Sequence, residues 1–271
     1  SAEIFTLHYS ADNHFPIIHS YSALEIEWLG GTGPEAAVTV PDVTLVEHAN
    51  GRVMLLFGGD AMMGRRYSQA DGDQPALIRK NHRAEDTRAL LQHIKPYLEV
   101  ADFASVNLES QVMESEPEQK APKSYVFFTP PEAVGALKDS GIDYVTLGNN
   151  HTYDYLATGL ESTLNSLDAY GLPYSGAGMT EDEALRPFRV KIRGNRMSFM
   201  GFLGWAGNFT PNQVAQGDAK GGAAFGTADN IRTAVSHEST QGRLPVVQYH
   251  GSREYTEEPT LVTESRLKQA I

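Results

Sequence analysis

The pattern of apolar residues divides the chain into two regions. Over residues 1–50, short apolar runs such as 4–7 and 24–29 are interrupted by Pro, Gly and Asn, so that no helix of ordinary length fits there. We therefore predict a few short strands and loops in this region, ending in a connector around Gly30–Pro34. The patterns that follow predict a second unit, a domain over residues 51–271.

In this second unit, apolar runs of strand length alternate with amphipathic stretches of helical period. Val53–Phe57 is apolar throughout, which is typical of a central parallel strand buried on both faces. Further strands are predicted at 103–106, 126–128, 142–147 and 244–249, and a hairpin at 188–203. Helices are predicted at 90–98, 132–140 and 154–170, and a long lid-type loop at 205–228. This alternation predicts an α/β fold.

Several predicted strands are followed by side chains that can ligate a metal or transfer a proton. Asp60 and Glu109 follow the first two strands, Asn150 and His151 follow the strand at 142–147, and His250 follows the last. The carboxyl ends of strands in one open sheet meet at one edge, where such folds carry their sites. We therefore expect these side chains to converge on a shared polar centre.

Each position also has an ordinary structural interpretation. Asp60 is suited to cap a helix, Gly148–Asn150 to form a turn, and Glu109 to sit in an exposed acidic loop. A single His is more often structural than ligating. The recurrence of such residues after four strands is what favours a common site over these separate explanations.

Two further residues complete the candidate site. Asp154 stands three positions after His151 and is placed to fix its tautomer, which suggests acid–base chemistry. Arg65 follows Asp60 closely, and a guanidinium binds phosphate or carboxylate oxygens through two parallel hydrogen bonds. The alternative for Arg65 is a solvated surface arginine.

The amino-acid composition excludes several classes of function for this chain. The 271 residues carry a formal net charge of −12, which argues against a protein that tracks a nucleic-acid backbone. The chain has no Cys, which excludes disulfides and thiolate chemistry. No apolar run approaches the roughly 20 residues of a membrane span. The start at Ser1 rather than Met is compatible with the removal of a signal peptide or an anchor.

Four stretches carry a resemblance to a known family. They are Gly59–Arg65, Asn107–Glu109, Gly148–Asp154 and His250–Tyr255. Their order and spacing resemble the CapA family of bacterial poly-gamma-glutamate capsule biosynthesis proteins, a branch of the calcineurin-like metallophosphoesterase superfamily. The similarity runs from about Val53 to the end of the chain.

This resemblance implies a four-layer sandwich, with two sheets between helices and a two-metal site at the strand ends. It implies that the metal is divalent, one of Mn, Fe, Zn or Mg, and that His151 is the general acid oriented by Asp154. The implied metal ligands are Asp60, Glu109, Asn150 and His250.

The function implied is that of a metal-dependent hydrolase in capsule biosynthesis, acting on an anionic polymer or phosphoester. The alternative is a catalytically silent protein that binds or escorts the polymer during export. The resemblance also implies an extracytoplasmic or membrane-associated location and partners among other membrane-bound capsule synthesis proteins. No nucleic-acid partner is expected.

The sequence departs from the family pattern in two places. Met62 occupies the position where the superfamily usually has a His ligand, a departure that CapA proteins share. The family's last ligand motif, a His-rich turn, is absent before Ile271. We therefore expect a C-terminally incomplete domain that binds at most one divalent cation, and binds it weakly.

Overall fold

A computed structural model of the chain describes residues 4–30, 37–204 and 210–271. Residues 31–34 of the predicted connector and 205–209 of the predicted lid lie outside these ranges. The strands are β1 Ile4–Tyr9, β2 Ile17–Ser22, β3 Leu55–Ala61, β4 Phe103–Leu108, β5 Gln111–Val112, β6 Phe128–Thr129, β7 Tyr144–Thr146, β8 Tyr174–Ser175, β9 Ala177–Gly178, β10 Phe188–Ile192, β11 Asn195–Leu203, β12 Gly222–Ala223 and β13 Leu244–His250.

The helices between these strands are mostly short. They are α1 Ala23–Trp28, α2 Arg83–Leu91, α3 Lys95–Leu98, α4 Glu132–Asp139, α5 Leu156–Tyr170, α6 Glu181–Ala184, α7 Thr210–Gln213, α8 Ala228–Thr240 and α9 Leu261–Leu267, with 3-10 turns at Arg65–Tyr67 and Lys268–Ala270. Within the described ranges, no helix is both long and apolar enough to cross a membrane.

Two larger sheets organise the fold. In the first, the order is β3-β4-β7-β8, and every neighbouring pair is parallel. In the second, the order is β10-β11-β13, where β10 and β11 form the predicted antiparallel hairpin and β11 pairs with β13 in parallel. The N-terminal strands β1 and β2 form a separate antiparallel hairpin. The predicted α/β class is therefore confirmed.

The two larger sheets contact each other through aromatic side chains. The ring of Phe103 in β4 stacks on Phe199 in β11 with 4.6 Å between centroids, and Tyr144 in β7 lies 5.4 Å from Phe199. Farther along, a Cβ added to Gly148 would lie 2.5 Å from the backbone nitrogen of Phe202. Only glycine fits there, because the turn after β7 lies directly against β11.

Helices cover the other faces of the sheets. Val134 of α4 and Leu160 of α5 belong to one buried apolar cluster with Val145 of β7. Ile231 of α8 packs in a second cluster with Phe202 of β11. Burial of these helix faces, rather than intrinsic helix propensity, is what stabilises such short helices.

Two details of the prediction were wrong. The strand at 53–57 was expected in the middle of a sheet, but β3 is an edge strand among the described residues, and Phe57 is 48% exposed. The helix expected at 90–98 is interrupted between α2 and α3. Pro96 explains this break, because proline lacks an N–H and its ring clashes with the carbonyl four residues earlier.

One buried carboxylate links α8 to the second sheet. Glu238 is 1% exposed and accepts hydrogen bonds from Arg189 in β10, 2.7 Å from Nη2 to Oε1, and from Arg243. These bonds, foremost those from Arg189, lower the pKa of Glu238 to about 2. A carboxylate with a depressed pKa contributes stability above its ordinary pKa and loses it as the pH falls toward the folded-state value.

We therefore expect Glu238→Gln to lower the free energy of unfolding by about 2 kcal/mol at pH 7, since hydrogen bonds to a charged group are lost. The difference should shrink as the pH falls below the ordinary glutamate pKa toward the folded-state value of about 2, because the unfolded chain takes up the proton first. Urea unfolding at pH 7 and at pH 2.5 measures this. The control Glu264→Gln removes an exposed pair with Lys268 and should leave the free energy of unfolding nearly unchanged. An equal loss at both pH values would contradict the argument.

Candidate metal centre

The four predicted ligand residues lie together at the carboxyl ends of strands from both larger sheets. His250, at the end of β13, is central to the group. Its Nδ1 lies 3.3 Å from Oδ1 of Asp60, and its Nε2 lies 3.6 Å from Oε1 of Glu109 and 2.6 Å from Oδ1 of Asn150. One ligand atom from each of Asp60, Glu109 and His250 lies within 4.8 Å of the others.

The electrostatics of this group favour the binding of a positive charge. The pKa of Glu109 is raised to about 7, first by burial and then by the neighbouring charge of Asp60. The pKa of Asp60 is lowered, mainly by its hydrogen bond with His250. Two carboxylates, an amide oxygen and an imidazole form a donor set that suits a divalent cation, and such a charge would offset the repulsion between the carboxylates. The residues present therefore fit a divalent metal.

Two asparagines outside the predicted ligand set hold this group in place. Asn107 Nδ2 donates to Asp60 Oδ1 at 2.6 Å and lies 3.1 Å from His250 Nδ1. Asn149 is fully buried, and its Nδ2 donates to Asn107 Oδ1 and to the Leu108 carbonyl, both at 2.9 Å. Because a carbonyl can only accept, this pairing fixes which way both amides face.

Next to this group, His151 and Asp154 form the predicted pair. His151 Nδ1 lies 2.7 Å from Asp154 Oδ2, which also accepts a 2.7 Å hydrogen bond from the Phe127 backbone N–H. With Nδ1 facing a carboxylate, His151 presents Nε2 to the site, 3.6 Å from Glu109 Oε1. Burial lowers the pKa of His151, and the adjacent Asp154 opposes that shift.

A buried lysine that the sequence analysis missed completes this pair. Lys123 Nζ donates to Asp154 Oδ1 at 2.7 Å and to the Asn150 carbonyl at 2.6 Å, and it lies 3.3 Å from His151 Nδ1. Its side chain is only 9% exposed. Lys123 stands in a polar stretch between Pro122 and Ser124, so no periodic pattern distinguishes it from a surface lysine.

Arg65 lies in the cleft that opens onto the predicted metal ligands. This cleft has a volume of about 660 Å³ and is lined by Asp60, Glu109, Met62 and Arg65, among others. The structure thus brings all seven predicted site residues into one region.

This chain is similar to a protein family and to a curated protein that are both described by capsule synthesis. Residues 54–271 match the family described as bacterial capsule synthesis protein PGA_cap. The capsule biosynthesis protein CapA of Bacillus anthracis is 26% identical over 235 residues, which cover 84% of this chain and 54% of CapA. The chain therefore spans about half the length of that curated relative.

Among solved structures, a hypothetical protein from Thermus thermophilus overlaps 73% of this chain and 58% of its own, with 13% identity and a TM-score of 0.38. That overlap is too low to establish a shared fold. The family match is independent of this structural overlap. It covers the whole region from before β3 to the last residue. The chain therefore belongs to the bacterial capsule synthesis protein family PGA_cap.

Proposed function

We propose that this chain is a capsule-biosynthesis-type protein with a metal-dependent hydrolytic centre that acts on an anionic polymer or a phosphoester. The observation that carries the proposal is the convergence of two carboxylates, an amide and an imidazole from two sheets, beside a His–Asp pair. The relative CapA is described as a capsule biosynthesis protein, which supports the same direction.

We propose that the two larger sheets and their covering helices form a four-layer sandwich of the metallophosphoesterase type. The aromatic contacts between β4 and β11 and the separate helix-covered clusters support this arrangement. In such a sandwich, strand ends from both sheets meet at one edge, as β3 and β13 do here.

In this proposal, Asp60, Glu109, Asn150 and His250 would hold the cation. A divalent cation bound there supplies Lewis-acid polarisation of the scissile group and activation of an attacking water. His151 delivers or accepts a proton through Nε2, while Asp154 holds the ring through Nδ1. Asn107 keeps the Asp60 carboxylate turned toward the site.

The proposed setting follows from the family. We propose an extracytoplasmic or membrane-associated location and an assembly with other capsule synthesis proteins, by analogy with CapA. Poly-gamma-glutamate is the first polymer to test, because the family is named for it.

The test begins with metal binding to the 271-residue chain after chelation. We expect calorimetry with Mn²⁺ to show a single, weakly held cation. Asp60→Asn and His250→Ala should each weaken that binding at least ~10-fold, the equivalent of about 1.4 kcal/mol. His93→Ala, which changes an exposed histidine, should leave it unchanged. Two tight sites would contradict the assignment of ligands.

The second step measures hydrolysis with chromogenic phosphate mono- and diesters and with γ-linked oligoglutamate. We expect activity that chelation removes and Mn²⁺ restores. Absence of hydrolysis with Mn²⁺, Fe²⁺, Zn²⁺ and Mg²⁺ for every substrate would overturn the enzymatic proposal. Retained polymer binding in that case would favour the alternative, a silent binding or export protein.

A further inference from the structure

Arg65 has an unusual backbone conformation that brings its side chain over two aromatic rings. Its φ of 49° is left-handed, which costs a non-glycine residue of order 1 kcal/mol and is found preferentially at functional sites. The preceding Gly64 allows the tight turn, because a Cβ at that position would lie 2.1 Å from the Phe128 carbonyl oxygen. The chain therefore passes directly against β6 just before Arg65.

Tyr125 and Phe127 form an aromatic shelf under the Arg65 guanidinium. The guanidinium carbon lies 5.3 Å from the Tyr125 ring centroid and 5.6 Å from that of Phe127, within the range of cation–π attraction. Phe127 also stacks on His151, with 3.8 Å between centroids and 14° between planes. The shelf thus links Arg65 physically to the proposed proton-transfer residue.

The charge of Arg65 is not matched by a carboxylate in the part of the chain that the structure describes. Several other arginines are paired with a carboxylate: Arg79 with Asp86, Arg83 with Glu114, Arg189 with Glu238, Arg193 with Asp102 and Arg232 with Asp229. The hydrogen-bonding edge of the Arg65 guanidinium is therefore available to a ligand.

Arg65 lies where two clefts meet. It lines the 660 Å³ cleft that contains Asp60 and Glu109, and also a second cleft of about 270 Å³ lined by Tyr125 and Phe127. An anionic substrate entering the first cleft approaches the carboxylates of Asp60 and Glu109, so a positive group at the entrance favours its binding. Arg65, lying over the aromatic shelf, supplies that charge.

We propose that Arg65, held on the aromatic shelf, is a subsite for an oxyanion, either a carboxylate or a phosphate, of a molecule bound across the metal centre. A planar guanidinium binds both groups through two parallel N–H···O bonds. The role of Arg65 as a substrate subsite rests on the proposed function. The binding of an oxyanion to Arg65 does not rest on it, because that binding requires neither a metal nor a reaction.

The test uses the metal-free 271-residue chain with ¹⁵N-labelled arginine side chains, titrated separately with sodium phosphate and sodium glutarate at constant ionic strength. The Arg65 Nε–H resonance is assigned by its absence in Arg65→Lys. We expect this resonance to shift saturably with at least one of the two anions, and the preferred anion identifies the source of the oxyanion. Arg65→Met should weaken the binding at least ~10-fold, as measured on remaining cleft resonances.

Three further variants make the test specific. Arg232→Met, at an exposed arginine of α8, should leave the affinity unchanged. Arg66→Met should have a smaller effect than Arg65→Met, because the Arg66 guanidinium lies over its own neighbour Tyr67. Tyr125→Leu removes half of the shelf and should weaken binding while keeping the charge.

The proposal is overturned if the Arg65 resonance does not respond up to about 50 mM anion, where millimolar affinities would still register. It is also overturned if Arg66→Met or Arg232→Met weakens binding as much as Arg65→Met does. Loss of hydrolysis with anion binding intact would count against the enzymatic proposal alone. Hydrolysis without anion binding at Arg65 would count against the subsite alone.

Discussion

Replacing His151 with alanine is expected to lower the rate of metal-dependent hydrolysis by about 100-fold or more, the usual contribution of a positioned acid–base group. His151 is the residue with the geometry for this role. Its Nδ1 is held 2.7 Å from a buried carboxylate, so Nε2 faces the cleft. That nitrogen lies 3.6 Å from Glu109 Oε1, beside the proposed metal ligands, but it does not belong to the close group of Asp60, Glu109 and His250.

The His151→Ala experiment therefore separates chemistry from metal binding. The rate should fall while the Mn²⁺ affinity stays close to that of the parent chain, because Asp60, Glu109 and His250 are untouched. His93→Ala provides the control for loss of an exposed imidazole. An unchanged rate in His151→Ala would show that the proton is transferred elsewhere. A parallel loss of metal would show that His151 is itself a ligand.

Sequence patterns located the strand ends well because their signal is local. Val53–Phe57 and Leu244–Tyr249 are apolar runs, and the residues that follow them, Asp60 and His250, needed only the rule that strand ends carry sites. The pattern of Val53–Phe57 did not show that β3 lies at a sheet edge. An apolar run indicates that most residues of a strand are buried. The position of that strand in its sheet depends on residues far away in sequence.

The residues that support the site were harder to predict. Asn107 belongs to the polar triplet that ends β4 and leads to Glu109, so its position at the strand end could have been inferred. Asn149 has the ordinary character of a turn residue, yet it is fully buried and bonds to Asn107 across 42 positions of sequence. Lys123 acquires its role only when the chain folds back on Asp154.

Lys123→Met is expected to lower the free energy of unfolding by about 3–5 kcal/mol, which is the typical effect of removing one partner of a buried ion pair. The Asp154 side chain is fully buried, and Lys123 is its cationic partner within the described residues. Without that ammonium group, the Asp154 charge remains in a site that water does not reach. The Asn150 carbonyl would lose a 2.6 Å hydrogen bond at the same time.

Two comparisons show whether the lost positive charge causes the loss of stability in Lys123→Met. Lys138→Met removes a lysine that also donates to two carbonyls, Tyr170 at 2.7 Å and Gly171 at 3.0 Å, but that is exposed and has no buried carboxylate to neutralise. Its effect should be under about 1.5 kcal/mol.

The double variant Lys123→Met/Asp154→Asn removes both charges of the pair and should be more stable than Lys123→Met alone. Urea unfolding at pH 7 gives all three values. If the double variant is less stable than the single one, the ammonium group of Lys123 is not what neutralises Asp154, and the loss in Lys123→Met comes from packing.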